Sequence, residues 1–334
     1  SGGIHFGDIG NVITGNKIFK NGTGISTQNC CTYGTNTITH NVISENEKGI
    51  QYDGKGGMRL EIENNHLINN TQSLLLGNKG VGWTPNGGDY LVFKNNVVAS
   101  DSGQPLVEIL EGSGYSLSNN NLISQSGLIV INRTTEPVTM ENNWWGVTAA
   151  SDIANLVYDY YDDFELGKID YDPALTAMNQ DSPFAPPANV TKTSTNDGLN
   201  ISWVANEEVD LKGYKIYYGA TSNFKYANSI TVEGAYNYFI SGLSENDEVA
   251  ITAIDDSSDG VEDQAEGFES WFTLASAPAP YIHLSKRSLD FGIVQTGSSL
   301  SQNFYLSNQG SAELIVSQIS SSSSDFTSSN DSFT

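Results

Sequence analysis

The chain has 334 residues, enough for two or three domains of ordinary size. Lysine and arginine total 15 against 39 aspartates and glutamates, a formal charge of −24. So acidic a surface repels phosphate backbones and anionic lipid, which excludes nucleic acid and bare membrane as expected partners. No apolar run approaches the roughly 20 residues of a membrane-spanning helix. The opening Ser1-Gly2-Gly3 has neither a basic nor an apolar leader segment, so a secretion signal is expected to have been removed or the chain to be an internal fragment. Cys30 and Cys31 are the only cysteines and are adjacent, so both are read as small structural residues without a disulfide framework.

A repeat organises the first half. The pattern apolar-x-x-Asn-x-apolar occurs around Asn16, Asn41, Asn65, Asn96, Asn120 and Asn143, with spacings of 25, 24, 31, 24 and 23 residues. A second polar position follows five residues later, at Asn21, Asn46, Asn70, Asp101 and Gln125. Another short apolar strand then begins near Ile25, Ile50, Leu74, Leu106 and Leu128. Three short strands per coil, each paired in parallel with its equivalent about 4.8 Å away, predict a solenoid of six coils. The six asparagines are expected to stack as a ladder of side-chain amides at a tight turn, where asparagine also tolerates left-handed backbone. The architecture expected is a right-handed parallel β-helix.

The stretch Glu141-Asn142-Asn143-Trp144-Trp145-Gly146 and the later acidic, aromatic run from Val157 to Asp163 close this region. With them, residues 1 to about 180 resemble the right-handed β-helix repeats of secreted carbohydrate-active proteins, a group that includes pectate-lyase-like and periplasmic copper-site-assembly-like chains. The resemblance implies an extracellular or cell-surface setting and an association with polysaccharide. A helix over 150–157, with Ser151 and Asp152 as cap signals, is expected to cover the last coil. The solenoid with its cap is thus assigned to 1–181.

A Pro-rich linker occupies 182–187, and alternating apolar and polar strands follow over 188–276. Trp203 and the run Gly213-Tyr214-Lys215-Ile216-Tyr217-Tyr218 resemble strands of a fibronectin type III domain. That family's corner tyrosine is replaced here by Val249, which removes its hydroxyl bond. Over 280–334, Leu289-Asp290-Phe291-Gly292, Val294, Gly297, Phe304, Leu306, Asn308, Gly310 and Leu314 resemble a choice-of-anchor D module of the ASPM–SPD-2–hydin group. Such modules run to roughly 100 residues, so this one is expected to be incomplete or completed by another chain, a route to self-association. The fold class is all-β, a parallel β-helix followed by two Ig-like sandwich modules.

Chemistry is sparse. A polysaccharide lyase needs a Lys or Arg base beside a group that neutralises a carboxylate, and Asp53, Lys55 and Arg59 are the nearest approach to that set; the competing reading is a solvated loop. The extra residues of the 31-residue coil bring Trp83, Asn86, Asp89 and Tyr90 into one insertion, where aromatic rings could stack on sugar and polar groups bond hydroxyls; the competing reading is a Trp folded over the core. Asp159, Asp162 and Asp163 form a candidate calcium site, against a merely acidic surface. Trp144 and Trp145 are read as core and cap residues, and Glu63 with Lys94 as an exposed pair on neighbouring coils. The leading functional expectation is a non-catalytic, secreted shaft that contacts polysaccharide, spaced from an anchor by its sandwich modules. The alternatives are a polysaccharide lyase or glycoside hydrolase and a structural subunit of an extracellular filament or layer.

Overall fold

The computed structural model describes residues 2–7, 9–27, 34–53, 58–77, 91–124, 127–261, 263–280, 282–284, 289, 291–308 and 312–328. Chain order alternates among three parallel sheets. Sheet A takes Gly2–Phe6, Thr23–Thr27, Lys48–Tyr52, Gln72–Leu76, Val107–Ile109, Val130–Asn132 and Val157–Tyr158. Sheet B takes Val12–Thr14, Gly34–Thr39, Met58–Glu63, Leu91–Lys94, Tyr115–Ser118, Val138–Thr139 and Ile169–Asp170. Sheet C takes Lys17–Phe19, Val42–Ser44, His66–Ile68, Val97–Ala99 and Asn121–Ile123. Sheet C sets the number of complete coils at five rather than the expected six, because at the sixth position only an isolated bridge, Asn121 to Trp144, remains.

The apolar positions of the repeat stack in register. Ile13, Ile38, Ile62, Phe93 and Leu117 form one inward row, and Ile18, Ile43, Leu67, Val98 and Leu122 a second. Ile4, Ile25, Ile50, Leu74, Val107, Val130 and Val157 form the third. Most of these side chains have no solvent exposure, and each such burial contributes about 1.5–3 kcal/mol. Close stacking also constrains the backbone: a Cβ at Gly49 would lie 2.5 Å from the carbonyl oxygen of Ser73 on the next coil.

At the corner between sheets B and C, Nδ2 of Asn16, Asn41, Asn65 and Asn120 each donates to Oδ1 of the next asparagine at 3.0 Å, and Asn96 does so at 3.1 Å. The same Oδ1 atoms accept the neighbouring backbone N–H groups, and the amides also donate to main-chain carbonyls. The left-handed residue is not the ladder asparagine but the one before it: Gly15, His40, Asn64, Asn95, Asn119 and Asn142 have φ between 52° and 69°. A one-residue left-handed corner lets the following asparagine return to extended geometry and point its amide inward. A second, shorter ladder joins Asn21, Asn46 and Asn70 between sheets C and A.

The cap differs from expectation. The helix is only Ala150–Ala154, and its N-cap is Ala149, with no side-chain cap bond; Asp152 sits inside the first turn rather than at the cap. Ile153 reaches the core, and Trp145 is buried against Tyr171 at 5.9 Å between ring centroids.

Residues 188–276 form a sandwich of two antiparallel sheets. Ala188–Ser194, Gly198–Val204 and Asn237–Ser241 make one, and Lys225–Val232, Leu211–Ser222, Val249–Asp255 and Thr273–Leu274 the other. Leu199, Ile201 and Trp203 pack against Tyr214, Ile216 and Ile251 in its core. The Tyr214 hydroxyl accepts the backbone N–H of Asn206 at 2.8 Å. Beyond 280, the described residues contain one antiparallel pair, Ile282–Leu284 with Leu306–Asn308.

Asn65→Ala is expected to cost about 2–4 kcal/mol, because it removes the donor to the buried carbonyl of Ile38 and the acceptor of the Asn41 backbone N–H. Asn16→Ala, at the half-buried end of the ladder, is expected to cost well under half as much. Urea unfolding of the two variants measures the difference; equal losses would remove the ladder as a source of stability.

Candidate functional site

Two features outside the solenoid core stand out. The first is a junction. The outward side chains of sheet C run in two rows, Lys17, Val42, His66, Val97 and Asn121, and Phe19, Ser44, Ile68, Ala99 and Ile123. An ordinary solenoid flank would be polar, but Val42, His66, Ile68 and Val97 are buried to within 1% exposure because the four-stranded sheet of the sandwich covers them. Trp271, Phe272, Phe224, Tyr217 and Tyr226 supply the covering surface. Phe19 meets Phe224 edge-on at 5.6 Å, and Trp271 packs on Phe224 at 4.8 Å.

Polar groups close the rim. Lys17 Nζ donates to Gln264 Oε1 at 2.7 Å and sits over the Trp271 ring, while Lys20 Nζ donates to Asn223 Oδ1 at 2.9 Å and pairs with Glu45 at 3.4 Å. The chain leading into the linker is strapped down as well: the backbone of Asn179 exchanges hydrogen bonds with the Asn121 amide at 2.8 and 3.0 Å. Phe184 and Ala185 of the linker are buried, and the Glu208 carboxylate accepts the Ala185 N–H at 2.8 Å. Burial pushes the Glu208 carboxyl upward, against the hydrogen bonds that lower it. A cleft of about 480 Å³ opens beside this junction, between Asn69, Ser100 and Asp101 of the solenoid and Pro187, Asn189 and Thr273 of the sandwich.

The second feature is the connection from sheet A to sheet B in the last coil. Asp159, only 2% exposed, organises it. Its carboxylate accepts the N–H of Tyr161 at 3.0 Å and of Ile169 at 2.7 Å, and its carbonyl accepts those of Asp162 and Asp163. This rigid frame holds two rings out to solvent, Tyr161 at 73% and Phe164 at 78% exposure, both edge-on to Tyr160. Lys168 lies about 5 Å from the Tyr160 and Tyr161 rings and donates to the Tyr161 hydroxyl; that bond, with the acidic groups of Tyr161, Tyr160 and Asp159 nearby, raises its pKa.

The sequence candidates fall as follows. Asp53 and Arg59 are not brought together: Asp53 accepts from Gln51 at the end of a sheet A strand, and Arg59 pairs with Glu61 at 3.0 Å on sheet B. Lys55, the insertion residues Trp83, Asn86, Asp89 and Tyr90, and both cysteines lie outside the described residues. Asp159, Asp162 and Asp163 are neighbours, yet their carboxylates are engaged by loop N–H groups, and no three His, Cys, Asp or Glu side chains among the described residues are arranged to hold a metal ion. Glu63 and Lys94 stack on adjacent coils at 3.2 Å.

The junction was missed from the sequence, although a signal for it exists. Val42-Ile43-Ser44 and Val97-Val98-Ala99 lack the alternation of a solvent-facing strand, and a parallel strand without alternation is covered on both faces. Trp271→Ala is expected to cost about 3–5 kcal/mol and to raise the radius of gyration in solution scattering while far-ultraviolet dichroism stays unchanged. An unchanged radius would mean that the aromatic contacts do not hold the two modules together.

Comparison with known proteins adds two matches. Residues 1–92 are similar to the family described as periplasmic copper-binding protein (NosD), a right-handed β-helix family, and residues 280–334 to the HYDIN/CFA65/VesB-like Ig-like domain. No curated protein matches the chain. The matched segments lie at the two ends, and the molecule joins a right-handed parallel β-helix to an Ig-like C-terminal module through the sandwich between them.

Proposed function

We propose that this chain is a non-catalytic, secreted or cell-surface protein whose β-helix is a rigid shaft that contacts polysaccharide. The observation that carries the reading is the presentation of Tyr161 and Phe164, two exposed rings on the hydrogen-bonded Asp159 loop with the exposed carboxylates of Asp162, Asp163 and Glu165 beside them. Aromatic faces stack on the apolar faces of sugar rings, and fixing them in advance lowers the entropy lost on binding. The insertion bearing Trp83, Asn86, Asp89 and Tyr90 falls in the sequence between strands of the same two sheets and carries the same residue types. Similarity of the first segment to a periplasmic family supports a location outside the cytoplasm. The three-on-four antiparallel arrangement over 188–276 supports a fibronectin type III reading of that module, with 182–187 as the linker and 280–334 as the partial Ig-like module. Calcium at the Asp159 loop would have to displace the backbone N–H groups already bound there.

A lyase or hydrolase reading is not favoured by the separation of Asp53 from Arg59. The filament reading draws on a different observation, the exposure of Ile293, Tyr305 and Ile315 in the C-terminal module, which a neighbouring chain would cover. Light scattering decides it, because a strictly monomeric chain at high concentration is incompatible with it.

Retention of the full chain on neutral plant, algal and bacterial polysaccharides, with product formation followed in parallel, tests the main reading. Binding is expected without new reducing ends or unsaturated products. Tyr161→Ala with Phe164→Ala is expected to reduce retention at least tenfold while changing unfolding free energy by less than about 0.5 kcal/mol, the usual range for exposed positions. Trp83→Ala is expected to act in the same direction. Product release would replace the binding reading with an enzymatic one.

A further inference from the structure

His66 is the one buried imidazole of the sheet C flank, and neither of its ring nitrogens has a hydrogen-bond partner. It sits between Val42 and Val97 in the outward row, at the centre of the surface that the sandwich covers. An orphaned polar ring in an otherwise apolar contact costs stability, and its neighbours here would be better matched by Leu or Val. We propose that His66 is an acid-sensitive latch, which keeps the sandwich docked on the solenoid when neutral and releases it when protonated.

Apart from one main-chain carbonyl, the surroundings disfavour an imidazolium. Lys17, in the same row, and His40, at the preceding corner, both repel a proton on the ring. The Gln264 carbonyl approaches it and favours the charged form, though without a hydrogen bond of normal geometry. Among the described residues, the carboxylates of the covering elements have other partners or face solvent, and exposed Glu248 accepts from the Tyr226 hydroxyl. Asp263 accepts from the Ser258 hydroxyl and from the N–H groups of Asp259 and Gly260. Glu269 accepts from the Tyr217 and Thr252 hydroxyls with Lys215 at 3.7 Å, and Glu266 is exposed to solvent. Burial, aided by Lys17 and His40, thus lowers the pKa of His66 from 6.5 to about 3 in the docked state.

The sign follows from linkage. A histidine whose pKa is depressed in the closed state stabilises that state fully above pH 6.5, the value of the exposed ring. As the pH falls below 6.5, the open form binds the proton and the closed form does not. The ratio of open to closed molecules therefore rises about tenfold per pH unit until the closed-state pKa is approached. Between pH 6.5 and 5 this precedes the protonation of ordinary carboxylates, whose unperturbed pKa values lie near 4. Release would expose an aromatic face on the sandwich and an apolar flank on the solenoid, both of which are hidden at neutral pH.

Hydrogen exchange of the full chain between pH 7.5 and 5, corrected for intrinsic rates, tests the latch. Peptides containing 66–68, 224–226 and 271–272 are expected to lose protection by about tenfold per unit below pH 6.5, while core peptides containing 199–201 and 107–109 hold theirs. His66→Leu is expected to abolish that slope and His66→Asn, the second variant should the first fail to fold, to do the same. His40→Gln is expected to leave the slope in place, because it removes only a minor repulsion. Protection of the junction that is independent of pH in the native chain, or a slope that survives both His66 variants, would overturn the proposal.

Discussion

The rest of the structure depends on registry between successive coils. A parallel solenoid satisfies its backbone only if each strand meets its equivalent at the right residue, and a slip of one residue would turn every inward side chain outward. The asparagine ladder enforces that registry. Each amide is at once donor to one coil and acceptor from another, so a misaligned coil would leave several buried polar groups unpaired together. This explains how a coil seven residues longer than its neighbours is accommodated. Its Asn96 still bonds Asn65 on one side and Asn120 on the other, and the additional residues all fall in one connection between sheets A and B.

Fixed registry has a further consequence on the flank. Because every third strand lies directly above its predecessor, whatever one coil places on the outer face of sheet C the next continues as a row. Val42, His66 and Val97 thus become a stripe, and a stripe of that kind must be covered. The sandwich provides the cover with aromatic side chains, and the rim is sealed by Lys17 and Lys20, whose ammonium groups lie over the Trp271 and Phe224 rings and donate to Gln264 and Asn223. Solenoid and sandwich are therefore a single packed unit rather than beads on a linker, and the buried Phe184 and Ala185 of the Pro-rich segment belong to that unit.

The repeat was legible because its signal is periodic: an asparagine with apolar residues three before and two after recurs with every coil, and those positions are the ladder and the two inward rows. The third strand of each coil and the two sheets of the sandwich were legible from apolar runs and alternation for the same reason. What could not be read were features set by the meeting of distant segments. Phe19 and Phe224 are separated by more than two hundred residues, and nothing local says that they touch. The left-handed corner was displaced by one residue because backbone geometry at Gly15, His40 and Asn64 follows from the direction the chain must turn, and the residue types at those positions tolerate it. The aspartates at 159, 162 and 163 have the composition of a cation site, and only the paths of the loop N–H groups reveal that the carboxylates already have partners.

Charge placement bears on what such a shaft can touch. Among the described residues, the basic side chains of the solenoid are largely turned to internal use: Arg59, Lys94 and Arg133 each lie against a glutamate, Lys17 and Lys20 face the junction, and Lys168 rests on tyrosine rings. These exposed pairs add little stability, but they remove most of the positive field that a polyanion would need. With a net charge of −24, the field left at the surface is that of unpaired carboxylates. A uronate polymer approaching Tyr161 and Phe164 meets Asp162, Asp163 and Glu165 first and is repelled, whereas a neutral polymer is not and can offer its hydroxyls to the same carboxylates. If the shaft holds a polysaccharide, its own electrostatics select a neutral or amino-bearing one, and that preference weakens as salt screens the surface.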